Sequence, residues 1–274
     1  RELSRSEIKE YQTALAFAQD DDATKLVQYW GEDVDFCFIG VQSELEFIAW
    51  KLASNAAKLG FTTTTNATYA NEFDLDYDVD PEMKVKTTVD WNNKATADII
   101  GDLRTFINLA KSKGLNPKFA FINLDELYKI ASADQIIKAC ASFASNALGI
   151  SQTPDLTQIN SMLARQAWLN GIQLRVIDQD ITREFTDGTQ TSGNPFENSR
   201  MIISETERLG TTQYDVLQEN DELILRAERA HTVIKKYGTI EPKSEVTIGQ
   251  ADAVPVFDTA YRNLYVRTDA KDWE

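Results

Sequence analysis

Residues 41–60, VQSELEFIAWKLASNAAKLG, and residues 73–91, FDLDYDVDPEMKVKTTVDW, decide how this chain is read. In the first stretch Val41, Leu45, Ile48, Ala49, Leu52, Ala56 and Leu59 recur at helical spacing and form one apolar stripe. Gly60 follows where a helix favours a left-handed C-cap, so a helix is expected up to Leu59. The second stretch switches to period two: Phe73, Leu75, Tyr77 and Val79 alternate with Asp74, Asp76, Asp78 and Asp80. After Pro81 the alternation resumes through Met83, Val85, Thr87, Val89 and Trp91. A three-residue loop, Asp80-Pro81-Glu82, predicts a long hairpin with Val79 opposite Met83, Tyr77 opposite Val85, Phe73 opposite Val89 and Asn71 opposite Trp91. This register sets Asp78 against Lys84 and Asp76 against Lys86, whereas a two-residue loop would set apolar side chains against charged ones. Each matched pair adds about 0.2–1 kcal/mol. The arms exceed the usual strand of about five or six residues. Such a half-polar blade packs one face and presents the other, which makes Asp76, Asp78, Lys84 and Lys86 candidate contacts with another subunit.

Ahead of the helix, residues 4–18 read as an amphipathic helix with Ile8, Tyr11, Leu15 and Ala18 on one side. The run Asp20-Asp21-Asp22 ends it and caps a shorter helix holding Leu26, Val27 and Trp30. Residues 34–39 read as a short strand or buried connection. After Trp91, a helix is expected over 95–112 with Ile99, Ile100, Leu103, Phe106, Ile107 and Ala110 inward, stopped by Gly114 and Pro117. A buried strand over 118–122, helices near 124–130 and 133–147, and a helix over 155–169 closing at Asn170-Gly171 follow. The strand over 172–177 completes an alternation that reads as an α/β layer. Residues 186–199 read as a polar, mobile loop, 201–203 as a strand, 209–220 as irregular and 221–248 as further strands. Residues 253–257 and 264–267 read as strands returning to the sheet of the early hairpin, so the early and late thirds form one subdomain with the middle inserted.

With 274 residues the chain can bury a sizeable core. Asp plus Glu number 43 against 28 Lys plus Arg, a net charge of −15, and no basic cluster suits phosphate binding. No apolar run approaches a membrane-spanning length. Cys37 and Cys140 stand in apolar surroundings and read as buried thiols rather than a disulfide. His231 is the only histidine, and no Gly-x-Ser-x-Gly elbow exists for it to serve. One histidine and two separated cysteines do not make a zinc set. The aspartate row lacks the turn glycine of a calcium loop, so no metal is expected. No glycine-rich phosphate loop follows a strand, so no nucleotide cofactor is expected either. Trp30, Trp50, Trp91 and Trp168 lie on apolar faces and read as core. Arg200 and Arg208 flank a strand near the polar loop and are further candidate subunit contacts, with surface solubility as the alternative.

With these residues set out, the chain resembles the tailed-bacteriophage or prophage major capsid proteins of the HK97-like fold. The resemblance rests on ordered landmarks over about residues 41–268: the helix ending Lys58-Leu59-Gly60, similar to the family's spine helix, and the hairpin ending at Trp91. The helix bearing Asp98-Ile99-Ile100, Gly114-Leu115-Asn116-Pro117 before a buried strand, and Gly171 before the strand through Val176-Ile177 come next. Val254-Pro255-Val256 with Leu264-Tyr265-Val266 completes the series. The resemblance implies an α+β chain divided into an N-terminal helical segment (1–40), a peripheral domain of spine helix and β-hairpin (41–91), an α/β axial domain (92–240) and a return to the peripheral domain (241–274). It implies self-assembly through pentamers and hexamers into an icosahedral shell enclosing phage DNA as non-specific content, with 186–199 facing the capsomer axis. It also implies no catalysis, no cofactor and no membrane. Scaffolding, portal or decoration proteins would be the partners, and the location the virion, after assembly in the host cytoplasm. One departure is the stretch ahead of the spine helix, where two short helices stand in place of the family's extended loop. An encapsulin-like cargo shell of the same fold is the nearest alternative, and a cytosolic hydrolase using Asp178 and Asp180 is an alternative of another class.

Overall fold

The computed structural model describes residues 2–3, 22–61, 73–141, 152–184, 189–216, 225–239 and 244–273. The helix expected over 4–18, the pairing of Asn71 and the end of the helix expected over 133–147 lie outside them. In chain order the elements are β1 (Glu2–Leu3), α1 (Asp22–Ser54), β2 (Lys58–Phe61), β3 (Phe73–Asp76), β4 (Lys84–Lys86), α2 (Ile99–Ser112) and β5 (Phe119–Asn123). Then come α3 (Leu124–Ser132), α4 (Asp134–Cys140), α5 (Leu156–Arg165), β6 (Gln173–Ile177), β7 (Ile181–Glu184), β8 (Gln190–Gly193) and β9 (Arg200–Ser204). The last are β10 (Thr211–Asp215), β11 (Leu225–Arg229), β12 (Thr232–Thr239), β13 (Ser244–Gln250), β14 (Asp252–Val256) and β15 (Asn263–Arg267). They divide into two compact units, residues 1–46 with 212–256 and residues 47–211 with 257–274.

The first unit holds an antiparallel sheet in the order β1-β13-β12-β11 and a two-stranded ribbon of β10 and β14. The first part of α1 packs on that sheet. Asp33 and Cys37 are buried, and the Cys37 thiol donates to the Thr247 carbonyl at 3.5 Å. A Cβ on Gly249 would stand 2.7 Å from the Cys37 carbonyl oxygen, so only glycine lets helix and sheet approach this closely. Residues 34–39 are therefore helical, not a strand. Their alternation of apolar residues misled, because at helical period Asp33, Cys37 and Leu45 turn inward while Phe36 and Ile39 remain 62% and 60% exposed. The expected short helix and spine helix are one continuous element.

The second unit is built on a five-stranded mixed sheet in the order β4-β15-β9-β5-β6. Strand β6 runs parallel to β5 and β4 parallel to β15, while β9 is antiparallel to both of its neighbours. The helix after Trp91 forms as expected: Asp98 caps it through the Gly101 amide at 3.0 Å, and Ile99, Leu103, Phe106, Ile107 and Ala110 are buried. Asp155 and Gln158 form a capping box at the start of α5. The chain turns at Asn170 and Gly171, both with positive φ, as the sequence indicated. Trp91, Tyr265, Phe196, Leu52, Ile122 and Ile159 are among the largest fully buried side chains.

Several expectations fail here. The spine helix ends at Ser54, and Ala57 N–H donates to the Leu52 carbonyl at 3.0 Å. This is a Schellman closure with Ala56 and Ala57 at φ 52° and 61°, while Gly60 lies in β2. The hairpin register also fails: β3 pairs with β2, placing Lys58 opposite Asp76 and Leu59 opposite Leu75, and β4 pairs with β15, not β3. Asp80-Pro81-Glu82 is not a hairpin loop, because Asp80 caps a single 3-10 turn over Pro81–Met83. Asp78 has φ 51° and donates its N–H to Asp76 Oδ1 at 2.8 Å, an Asx turn that ends the strand. Thirdly, much of the expected loop over 186–199 is ordered: β8 pairs with β7, and Phe196 is buried beside Trp50. Residues 211–215, expected to be irregular, pair with β14 in the first unit, so of the two returning strands only β15 meets β4. Trp168, expected in the core, is 51% exposed.

Candidate functional site: charged residues and an acidic depression

The six candidate contact residues do not form one cluster. Asp76 pairs with Lys58 at 3.3 Å across the β2–β3 ladder, and the Asp78 amide, with Lys58 and Lys84, holds its carboxyl below the usual range. Both partners are about half exposed, so the pair is worth at most ~1 kcal/mol. Asp78 is exposed, and Lys84 is half-buried opposite Tyr265. Lys86 pairs with Asp272 at 2.7 Å, and the Arg200 guanidinium lies 4.5 Å from the Trp273 ring centroid. Arg208 is exposed, its Nε donating to the Gly210 carbonyl at 3.3 Å. Lys86 and Arg200 therefore bind the chain's own C-terminal segment. There Trp273 Nε1 donates to the Val85 carbonyl and Arg267 grips Asp269 through two hydrogen bonds.

Asp178 and Asp180 line an open depression of about 480 Å³ with Asp125, Asn194, Glu197 and Asn198. It lies at the carboxyl end of the parallel pair β5 and β6, where α/β sheets commonly place ligands. Lys51 pairs with Glu197. Among the described residues no three His, Cys, Asp or Glu side chains are placed to hold a metal ion. The lone His231 is tied up: Gln42 Nε2 is 2.9 Å from its Nε2, and the Tyr214 ring lies 5.7 Å away. Both cysteines are free thiols, and burial pushes that of Cys140 up. No helix among the described residues is long and apolar enough to cross a membrane.

The carboxyls that burial pushes above the ordinary range are elsewhere. Asp102, 8% exposed, accepts from Trp91 Nε1 at 2.9 Å and from the Thr88 hydroxyl at 3.3 Å, and both bonds oppose the effect of burial. Glu126, with no exposure, meets Lys129 at 2.8 Å. Neither lines the depression, and each is held by packing residues of its own. Sequence reasoning missed both. The available signal for Glu126 was its place three residues after Asn123, which caps α3 through the Glu126 amide at 2.8 Å.

No protein-family profile matches this sequence, and no curated protein does. Among solved structures, the chain is similar to a protein assigned as a capsid protein of a prophage of E. coli CFT073. The TM-score is 0.53 at 13% identity, over 83% of this chain and 63% of that one. A phage-related protein from Bordetella bronchiseptica RB50 aligns at 14% identity with TM-score 0.42, over 71% of this chain and 60% of that one. The chain thus spans about three-fifths of the length of these two solved structures. At such identity the likeness concerns the fold: this is a mixed α+β chain with a phage-capsid-like fold.

Proposed function

We propose that the chain is a major capsid subunit that assembles through pentamers and hexamers, in the manner of the HK97-like fold, into an icosahedral shell around phage DNA. The observation that carries this reading is the fold likeness to the prophage capsid protein over 83% of the chain. In this reading residues 41–91 and 241–274 serve as the peripheral domain and 92–240 as the axial domain. The role is structural, needs no cofactor, and is exercised in the virion after assembly in the host cytoplasm. Scaffolding, portal or decoration proteins would be partners. Asp76, Asp78, Lys84, Lys86, Arg200 and Arg208 are the proposed contacts between copies, and the exposed Asp78 and Arg208 are the freest to reach a neighbour. The net charge of −15 would keep packaged DNA from adhering to the inner wall. Light scattering and negative-stain microscopy of the purified protein test this. Closed shells or rings of five and six are expected, and a strict monomer across salt, pH and concentration would refute it. Nucleic acid within the shells, as against protein, separates this reading from an encapsulin-like cargo shell.

A further inference from the structure

Glu126 sits in the first turn of α3 with its side chain wholly buried. Its Oε2 accepts from Lys129 Nζ at 2.8 Å, and the same ammonium donates to the Ser199 hydroxyl at 2.8 Å. The Thr268 hydroxyl faces the carboxylate but makes no hydrogen bond of ordinary geometry with Oε1, which has no other partner among the described residues. Ser199, at φ 57°, accepts from the Thr268 amide at 3.1 Å, and the Thr268 carbonyl accepts from the Trp91 amide at 3.0 Å. Three segments distant in sequence, at Trp91, Ser199 and Thr268, are thus stitched together. Lys129 fastens α3 to that stitch.

The charged groups facing Glu126 are Lys129, on its own helix, and Asp90, next to Trp91; Ser199 and Thr268 are uncharged. One cation therefore offsets both the burial of a carboxylate and the repulsion of a second. A charged carboxylate gains from opening to water, whereas a neutral carboxyl does not.

We propose that this junction is a proton-controlled tie: Glu126 closes it on taking up a proton and loosens it on releasing one. The closed state binds the proton more tightly than the open state, so acidification favours closure. Burial raises the Glu126 carboxyl above its ordinary 4.5, in keeping with that direction.

Amide hydrogen exchange on the full chain, corrected for the intrinsic pH dependence of exchange, tests the proposal. Protection of the Thr268 and Trp91 amides should rise as pH falls, by up to about tenfold per pH unit, and level off below the ordinary glutamate range. The Ile122 and Ile202 amides, inside the sheet, should not follow. Glu126→Gln, which mimics the protonated side chain, should give protection independent of pH and no lower than the acid wild-type value. Lys129→Met should lower protection at neutral pH and regain it in acid. The proposal is overturned if Thr268 and Trp91 track Ile122 and Ile202 at every pH, or if Glu126→Gln reduces their protection at neutral pH. Should Lys129→Met not fold, the wild-type profile and Glu126→Gln decide the matter.

Discussion

Replacing Trp91 with Phe probes the joint between the segment before α2 and the helix itself. The indole is fully buried, and its N–H donates at 2.9 Å to Asp102, whose carboxyl is itself nearly buried. Phe removes a hydrogen bond to an ionised acceptor, worth about 1.5–3 kcal/mol. The smaller ring adds about 1 kcal/mol of lost burial and cavity. The total is roughly 3 kcal/mol at neutral pH, read from urea unfolding followed by circular dichroism. The sign of the pH dependence follows from Asp102. Its carboxyl is raised in the folded protein, so the native state binds the proton more tightly than the unfolded chain. The associated penalty is present above the folded value and disappears as pH falls below the ordinary 3.8. Trp91→Phe removes a bond that favours the charged form, so it widens that penalty, and its cost should shrink toward acid. In an Asp102→Asn background, where the amide oxygen still accepts a neutral hydrogen bond, the same substitution should cost less than in the wild type, a coupling of about 1–2 kcal/mol. A cost that is equal at neutral and acid pH, and unchanged by Asp102→Asn, would refute the reasoning.

Asn160 lies beside the edge of β6 that pairs with no other strand among the described residues, where Leu174 N–H donates to its Oδ1 at 2.7 Å and its Nδ2 donates to the Leu174 carbonyl at 3.2 Å. Asn160→Leu should cost about 1–3 kcal/mol in urea unfolding and bare an edge that promotes aggregation, visible as increased light scattering. Ala230, exposed and at φ 53° between β11 and β12, should tolerate glycine, with Ala230→Gly neutral to stabilising by up to about 1 kcal/mol. Asp269 is held below the ordinary carboxyl range first by its hydrogen bonds to Arg267, so its contribution is present above 3.8 and lost as pH falls through the lowered value. Asp269→Asn should therefore cost about 2 kcal/mol at neutral pH and progressively less in acid, measured by thermal unfolding across pH.

Much of the second unit was legible because its signals are local. The stripe Ile99, Leu103, Phe106, Ile107 and Ala110 sits at helical period behind a capping aspartate, and Asn170-Gly171 marks a turn that needs positive φ. What failed needed knowledge of partners. Residues 34–39 alternate well enough to look like a strand, and only the closeness of Gly249 to Cys37 reveals which residues the helix turns inward. Ala56 and Ala57 carry no mark of a helix end. Their left-handed conformation is sustained by burial and by the Leu52 carbonyl, and glycine statistics pointed instead to Gly60.

The charge ladder failed for a related reason. Alternation fixes which face of a strand a side chain occupies, but a row of aspartates matches any row of lysines that reaches it. Asp76 found Lys58 because the chain closes back on β2 directly after the helix. Lys86 was left to the segment that follows its parallel neighbour β15, where Asp272 meets it. Arg200 lies against Trp273 of the same segment. A contact with another copy at these positions must therefore break an existing interaction, and for exposed pairs that costs only up to about 1 kcal/mol each. Asp78 and Arg208, both exposed, face no such competition from an ion pair among the described residues. If copies associate as proposed, charge reversal at Arg208 is accordingly the substitution that should weaken association, read by light scattering, while leaving the stability of the single chain little changed. Reversal at Asp78, whose φ of 51° suits aspartate better than lysine, should also cost the single chain up to about 1 kcal/mol.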